Sequence, residues 1–141
     1  MSLTFKTFTK LPKEAKAIRT SVFVIEQGFN EEFDISDNEA IHVLMYLDDK
    51  AIGNSRIIYQ AKHNSITIGR FAILKKYRNK GYGKLLLEYT EKVIIDKYGH
   101  IKIGLGAQDR AKYFYHKLGY SFTDETYLDE NYPHVWMEKD L

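Results

Sequence analysis

The chain has 141 residues, the size of one domain, and that length buries a core without staples. It has no cysteine, which excludes disulfides, thiolate zinc sites and any covalent cysteine intermediate. Lysine and arginine number 21 against 19 acids, and the resulting net charge of +2 is too small for a chain devoted to nucleic acid.

No linker, repeat or low-complexity tract interrupts the chain, so a single domain over residues 1–141 is expected. Leu3, Phe5 and Phe8 suggest a first strand without the apolar core of a signal peptide. Pro12 is placed for the first turn of a helix, whose apolar face is Ala15, Ile18, Val22 and Ile25. The stretch Gln27 to Glu39 breaks that pattern and carries Glu31, Glu32, Asp34, Asp37 and Glu39. Strands Ile41 to Leu47 and Ala51 to Tyr59 are joined by a turn short enough for a hairpin. Val43 to Leu47, the longest apolar stretch, is far below the roughly 20 residues of a membrane span. The cytoplasm, with no membrane partner, is therefore the expected setting.

A strand from Ser65 to Leu74 has a bulge signal at Gly69 and Arg70. A basic loop, Lys75 to Lys84, leads into a helix whose shared face is Leu85, Leu86, Tyr89, Val93 and Ile94. Ile101, Ile103 and Leu105 alternate as a strand, and Asp109 to Leu118 reads as a helix stopped by Gly119. Tyr120 to Thr123 and Val135 to Glu138 close the chain as strands. The order β-α-β-β-β-α-β-α-β-β predicts an α/β (α+β) fold with a mostly antiparallel first half.

The strongest chemical signal is Arg78-Asn79-Lys80-Gly81-Tyr82-Gly83 between a strand and a helix. Glycines let the backbone approach a ligand, and a helix start offers unpaired N–H donors and a positive dipole end. Together they form an anion site of diphosphate size, with charge from Arg78, Lys80 and Lys84. A P-loop and a dinucleotide fingerprint both fail on spacing, since only Gly81-x-Gly83 is present. The competing interpretation is a plain turn with solvated lysines. The acidic stretch is open between a solvated loop and a surface that attracts a cationic amine; it lacks the oxygen spacing and central glycine of a calcium loop. No histidine pair has i, i+4 zinc spacing, so no metal is expected.

Thirty residues on comes Ala107-Gln108-Asp109-Arg110-Ala111-Lys112-Tyr113-Phe114-Tyr115-His116-Lys117-Leu118-Gly119-Tyr120. With Arg78-x-x-Gly81-x-Gly83, this resembles the pyrophosphate loop and cofactor helix of the GNAT superfamily of N-acetyltransferases. Val22-Phe23-Val24-Ile25-Glu26-Gln27-Gly28, then Glu32, Asp34, Asp37 and His42, and Pro133-His134-Val135-Trp136-Met137, are similar to its ElaA-like branch. Lys75 stands where the family often has proline and Asn79 where it often has glycine; both phosphate glycines are kept.

The resemblance implies a splayed, mixed sheet flanked by helices, and transfer of an acetyl group from acetyl-CoA to an amine in a ternary complex. It implies backbone contacts to the pantetheine arm at Phe71, Ala72 and Ile73. Arg78, Asn79, Lys80, Gly81, Tyr82, Gly83 and Lys84 would hold the pyrophosphate, with Gln108 beside the arm. Tyr115 matches the family's general-acid tyrosine, and the N–H near Ile73 is the oxyanion donor. For amine deprotonation Glu26, Glu32, Asp34 and His42 are candidates, Glu26 and His42 foremost, with His134 lining the acceptor pocket. A non-catalytic acyl-CoA sensor or interaction module of the same fold is the alternative. The amine and the oligomeric state, homodimer included, are open.

Overall fold

The computed structural model describes residues 1–30 and 32–141; Glu31, one of the five acids noted above, lies outside the described residues. Seven strands form one sheet in the order β1-β2-β3-β4-β5-β7-β6. They are β1 (Leu3–Phe8), β2 (Ile41–Leu47), β3 (Lys50–Gln60), β4 (Ser65–Ile73), β5 (Lys102–Gln108), β6 (Ser121–Asp129) and β7 (Tyr132–Asp140). All neighbours are antiparallel except β4 and β5. Asp48–Asp49 and Glu130–Asn131 turn the β2–β3 and β6–β7 hairpins with both residues at positive φ, the twist-matched geometry of two-residue loops. Strands β6 and β7 are longer than the sequence suggests, because the polar run Asp124-Glu125-Thr126-Tyr127-Leu128-Asp129 belongs to an edge strand with little to bury.

One core joins the sheet to helix α2 (Tyr82–Tyr98) and helix α3 (Lys112–Lys117), with Met45, Ile52, Leu86, Leu87, Ile94, Ile103 and Met137 buried in it. The second core lies under helix α1 (Lys13–Arg19), from Ala15 and Ile18 to Leu44 and Ala72. After Arg19 the backbone widens into a π-helix, Thr20–Glu26. That extra residue per turn rotates the apolar face, so Val22 and Phe23 go inward. Ile25, expected inside, is 77% exposed. On α2, Leu87 takes the inward place expected for Leu85, which is 41% exposed. The helix expected over Asp109 to Leu118 is split into a 3₁₀ turn, Asp109–Ala111, and the shorter α3.

Candidate active site

The parallel pairing of β4 with β5 extends over Ile66↔Ile103 and Thr67↔Gly104 and then stops. Strand β4 continues to Ile73, still paired to β3, and β5 to Gln108, still paired to β7. The two strands therefore splay, and their facing backbone groups beyond Thr67 and Gly104 have no sheet partner. The bulge expected at Gly69 and Arg70 is present; Arg70 has φ 49°, and the β3–β4 register skips between Asn54 and Arg56. Phe71, Ala72 and Ile73 form one lip of this gap and Leu105 to Gln108 the other.

Beyond β4, a 3₁₀ turn at Lys75–Tyr77 leads into the glycine loop. Asn79 and Gly81 both have positive φ, 63° and 86°, a conformation asparagine and glycine tolerate. A side chain at Gly81 would meet open space. Gly83 packs closely on Phe114, since a Cβ there would lie 3.2 Å from the ring. Among the described residues no side chain caps α2, which leaves its first N–H groups without a capping partner. Lys80 and Lys84 are exposed beside them. Arg78 is arranged otherwise than expected. Its Nε donates to the Ile73 carbonyl at 2.8 Å, and its two terminal nitrogens donate to the Glu26 carboxylate at 2.7 Å each. Its fork is turned back toward the gap and already paired, so the exposed charges of the loop are lysines, Lys80 and Lys84 beside the helix start and Lys75 and Lys76 before it.

Tyr115 lies in the core, 8% exposed, with its ring edge-on to Phe71 at 5.9 Å and to Phe114 at 5.1 Å. Burial pushes its phenol above the usual value, so the proton stays on. Gln108 does not face solvent freely: its Nε2 donates to Gln27 Oε1 at 2.8 Å and its Oε1 accepts from Arg110 at 2.9 Å. The hydrogen bonds from Arg78 hold the Glu26 carboxyl below its ordinary value.

Three candidates for amine deprotonation are built into the protein instead. His42 is fully buried; its Nε2–H donates to the Asp37 carbonyl at 3.0 Å and its Nδ1 has no partner among the described residues. Burial lowers its pKa, keeping it neutral and out of reach of a substrate. Glu32 is buried against Arg19, at 3.0 Å, and Arg70. Desolvation raises it even so. Asp34 accepts from Arg56 at 2.8 Å and from Arg70 at 3.3 Å. Glu32 and Asp34 belong to a cluster with Asp37, Arg19, Arg56 and Arg70, three charges of each sign, buried at Arg19, Arg56, Glu32 and Asp37 and open to solvent at Asp34. The acidic stretch is thus largely the counter-charge of internal arginines. The sequence signal was available: Arg19 follows Ile18 on an apolar helix face, and Arg56 stands inside the strand run Ile52 to Ile58. His134 stands opposite Gln108 on β7, with Nδ1 donating to the Tyr132 carbonyl at 2.8 Å and its ring stacked on Tyr127. Gln27 and Tyr132, which sequence reasoning passed over, also reach the site: the Tyr132 hydroxyl donates to the Gln27 carbonyl at 2.5 Å.

Residues 10–141 match the family model described as an acetyltransferase (GNAT) domain. The chain belongs to the GNAT acetyltransferase family. It is 34% identical over 131 residues to YjcF of Bacillus subtilis, an uncharacterized N-acetyltransferase, covering 91% of each chain. The crystal structure of Escherichia coli ElaA shares its fold with a TM-score of 0.87 at 22% identity, over 99% of this chain and 100% of that one. An acyl-CoA N-acyltransferase from Pseudomonas aeruginosa does so with a TM-score of 0.86 at 24% identity, over 98% and 99%. The GNAT fold places the splayed strands, the glycine loop and α2 on one continuous path. Among the described residues of this GNAT chain, no helix is long and apolar enough to cross a membrane.

Proposed function

We propose that this protein transfers an acetyl group from acetyl-CoA to a primary amine, by direct attack within a ternary complex. The observation that carries this is the β4–β5 gap opening onto a glycine loop at the uncapped start of a 17-residue helix. One site is extended and lined by backbone groups, and the other is compact and rich in N–H donors, which suits a pantetheine arm and a pyrophosphate. Backbone groups of Phe71, Ala72 and Ile73 would take the arm, beside Gln108. The N–H groups of Tyr82, Gly83 and Lys84, with Asn79, Gly81 and the lysines at 80 and 84, would take the diphosphate.

Acetyl-CoA supplies an acyl carbon activated for attack by its thioester. The N–H at Ile73 is the donor for charge developing on the acyl oxygen. Tyr115, kept protonated by its surroundings, gives its proton to the leaving thiolate and recovers one, through solvent, from the amine nitrogen that loses it as the amide forms. A polar pocket of about 490 Å³ borders the bulge of β4 and includes Asp34, Arg70, Asp129 and Glu130 in its lining. Asp129, exposed in its lining, suits an incoming ammonium group, and His134 stands at the β5 lip.

Thermal unfolding with added ligands tests the binding half. Acetyl-CoA or CoA at 100 times its dissociation constant adds about 2.7 kcal/mol of stability, and ATP or NAD adds much less. Equal shifts for all three would mark a generic anion patch and overturn the assignment. A CoA-release assay over a panel of amines tests the transfer half, with acetyl-, propionyl- and succinyl-CoA as donors. Binding without turnover on any amine would point to an acyl-CoA sensor.

A further inference from the structure

Glu26 and Gln27 end the π-helix and turn to opposite lips of the gap. Glu26 holds the β4 side. Its carboxylate takes both terminal nitrogens of Arg78, whose Nε grips the Ile73 carbonyl. The peptide that follows Ile73 is held at its other end too, because the Leu74 N–H donates to the Ile52 carbonyl at 2.9 Å. Gln27 holds the β5 side. Its side-chain oxygen accepts from Gln108, and its carbonyl accepts from Tyr132 at the β6–β7 hairpin. Two consecutive residues can serve both lips because successive side chains around a helical turn point in different directions. Gly28, at φ 79°, then turns the chain away.

This arrangement gives Glu26 a task other than taking a proton from the amine. Both of its oxygens are committed to a bidentate fork, the strongest form of charge-assisted hydrogen bond. Lys75 and Arg110 add further positive charge around it. We propose that Glu26 and Gln27 are positioning residues that set the width of the β4–β5 gap, Glu26 acting through Arg78 on the end of β4 and Gln27 through Gln108 on the end of β5. The proposal rests on the acetyl-transfer function given above. It goes further by assigning Glu26 to geometry and by naming Gln27, Arg78 and Gln108 as one strap across the site.

The test compares wild type with Glu26→Gln, Arg78→Lys, Glu26→Gln/Arg78→Lys and Gln27→Leu. Glu26 and Arg78 are about one-third exposed, so these variants keep the fold, and their melting temperatures verify it. CoA affinity is read by calorimetry, and kcat, KM and the pH profile of kcat/KM with one fixed amine. Each single variant is expected to lower kcat by roughly 10- to 100-fold, as a displaced reacting geometry does, and to weaken CoA binding. The shape of the pH profile stays that of wild type. The double variant is no worse than the poorer single one, because both changes break the same link. Loss of the acid limb in Glu26→Gln would make Glu26 the base and overturn the strap. Wild-type kcat and CoA affinity in Glu26→Gln, or losses that multiply in the double variant, would overturn it equally. If wild type itself neither binds CoA nor turns over an amine, the acetyl-transfer function fails first and the strap falls with it.

Discussion

At the scale of single residues, the general-acid role proposed for Tyr115 rests on its burial. Its ring packs against Phe71 and Phe114, while desolvation keeps its proton on beyond the ordinary pKa of tyrosine. Tyr115→Phe retains the ring, so the fold and acetyl-CoA affinity stay nearly unchanged while kcat falls by roughly 10²-fold, measured where chemistry limits the rate. Tyr113→Phe is the control, because that side chain is 62% exposed. Tyr120 is not one, since its hydroxyl donates to Glu91 at 2.7 Å inside the core. Gly81→Val acts differently. Its Cβ meets no atom, so the cost to stability is the strained left-handed backbone, about 1–2 kcal/mol, and the loss of CoA affinity in calorimetry is the larger effect. Unchanged affinity in a folded Gly81→Val protein would show that the loop does not hold the cofactor. The placement of the glycine loop between β4 and α2 was legible because it depends on local spacing. The partner of Arg78 was not, because Glu26 lies 52 residues away in sequence and only the tertiary fold brings them together.

Among the elements, the first helix shows where periodicity misleads. A 3.6-residue repeat puts Val22 and Ile25 on one face, and the sequence contains no glycine or proline to signal a change of pitch there. The π-helix shifts the inward place to Phe23, which meets Phe29 edge-on at 6.3 Å. Phe23→Ala should therefore cost about 3–5 kcal/mol in urea unfolding. Ile25→Ala should stay within about 0.5 kcal/mol, as for a solvated surface position. The reverse order would mean that the helix keeps an ordinary pitch through Glu26. The β2–β3 hairpin was readable because alternation and a short turn are local. The length of β6 was hidden because an edge strand needs no apolar alternation.

Across the whole molecule, a net charge of +2 conceals a strongly charged interior. Burial works to raise the Asp37 carboxyl, but hydrogen bonds and charge from Arg19, with help from Arg56, outweigh it and hold the group at about 2. A carboxyl lowered on folding contributes stability above its unfolded value of 3.8, and that contribution is lost as pH falls toward 2. The difference corresponds to about 2 kcal/mol. Glu32, raised by burial, works in the opposite sense and offsets part of it. Denaturation followed from pH 7 to pH 2 should show stability falling between about pH 4 and pH 2. Asp37→Asn should remove that fall and cost about 2 kcal/mol at neutral pH, by taking one of its two carboxylate partners from Arg19. The sequence told the order of elements and the location of the acids. It did not tell that arginines from α1, β3 and β4 converge on them.

The brief parallel pairing of β4 with β5 also divides the chain in a way that sequence order respects. Residues up to Ile73 build one antiparallel sheet and residues from Lys102 onward build another. Every other junction in the sheet pairs at least six residues with their neighbours, and this one pairs two. Mechanically the sheet is two stiff plates stitched along a short seam, so a shear between them breaks less backbone ladder than a shear anywhere else. Compliance is concentrated on one line, and a molecule lodged in that line would stiffen the two plates into one.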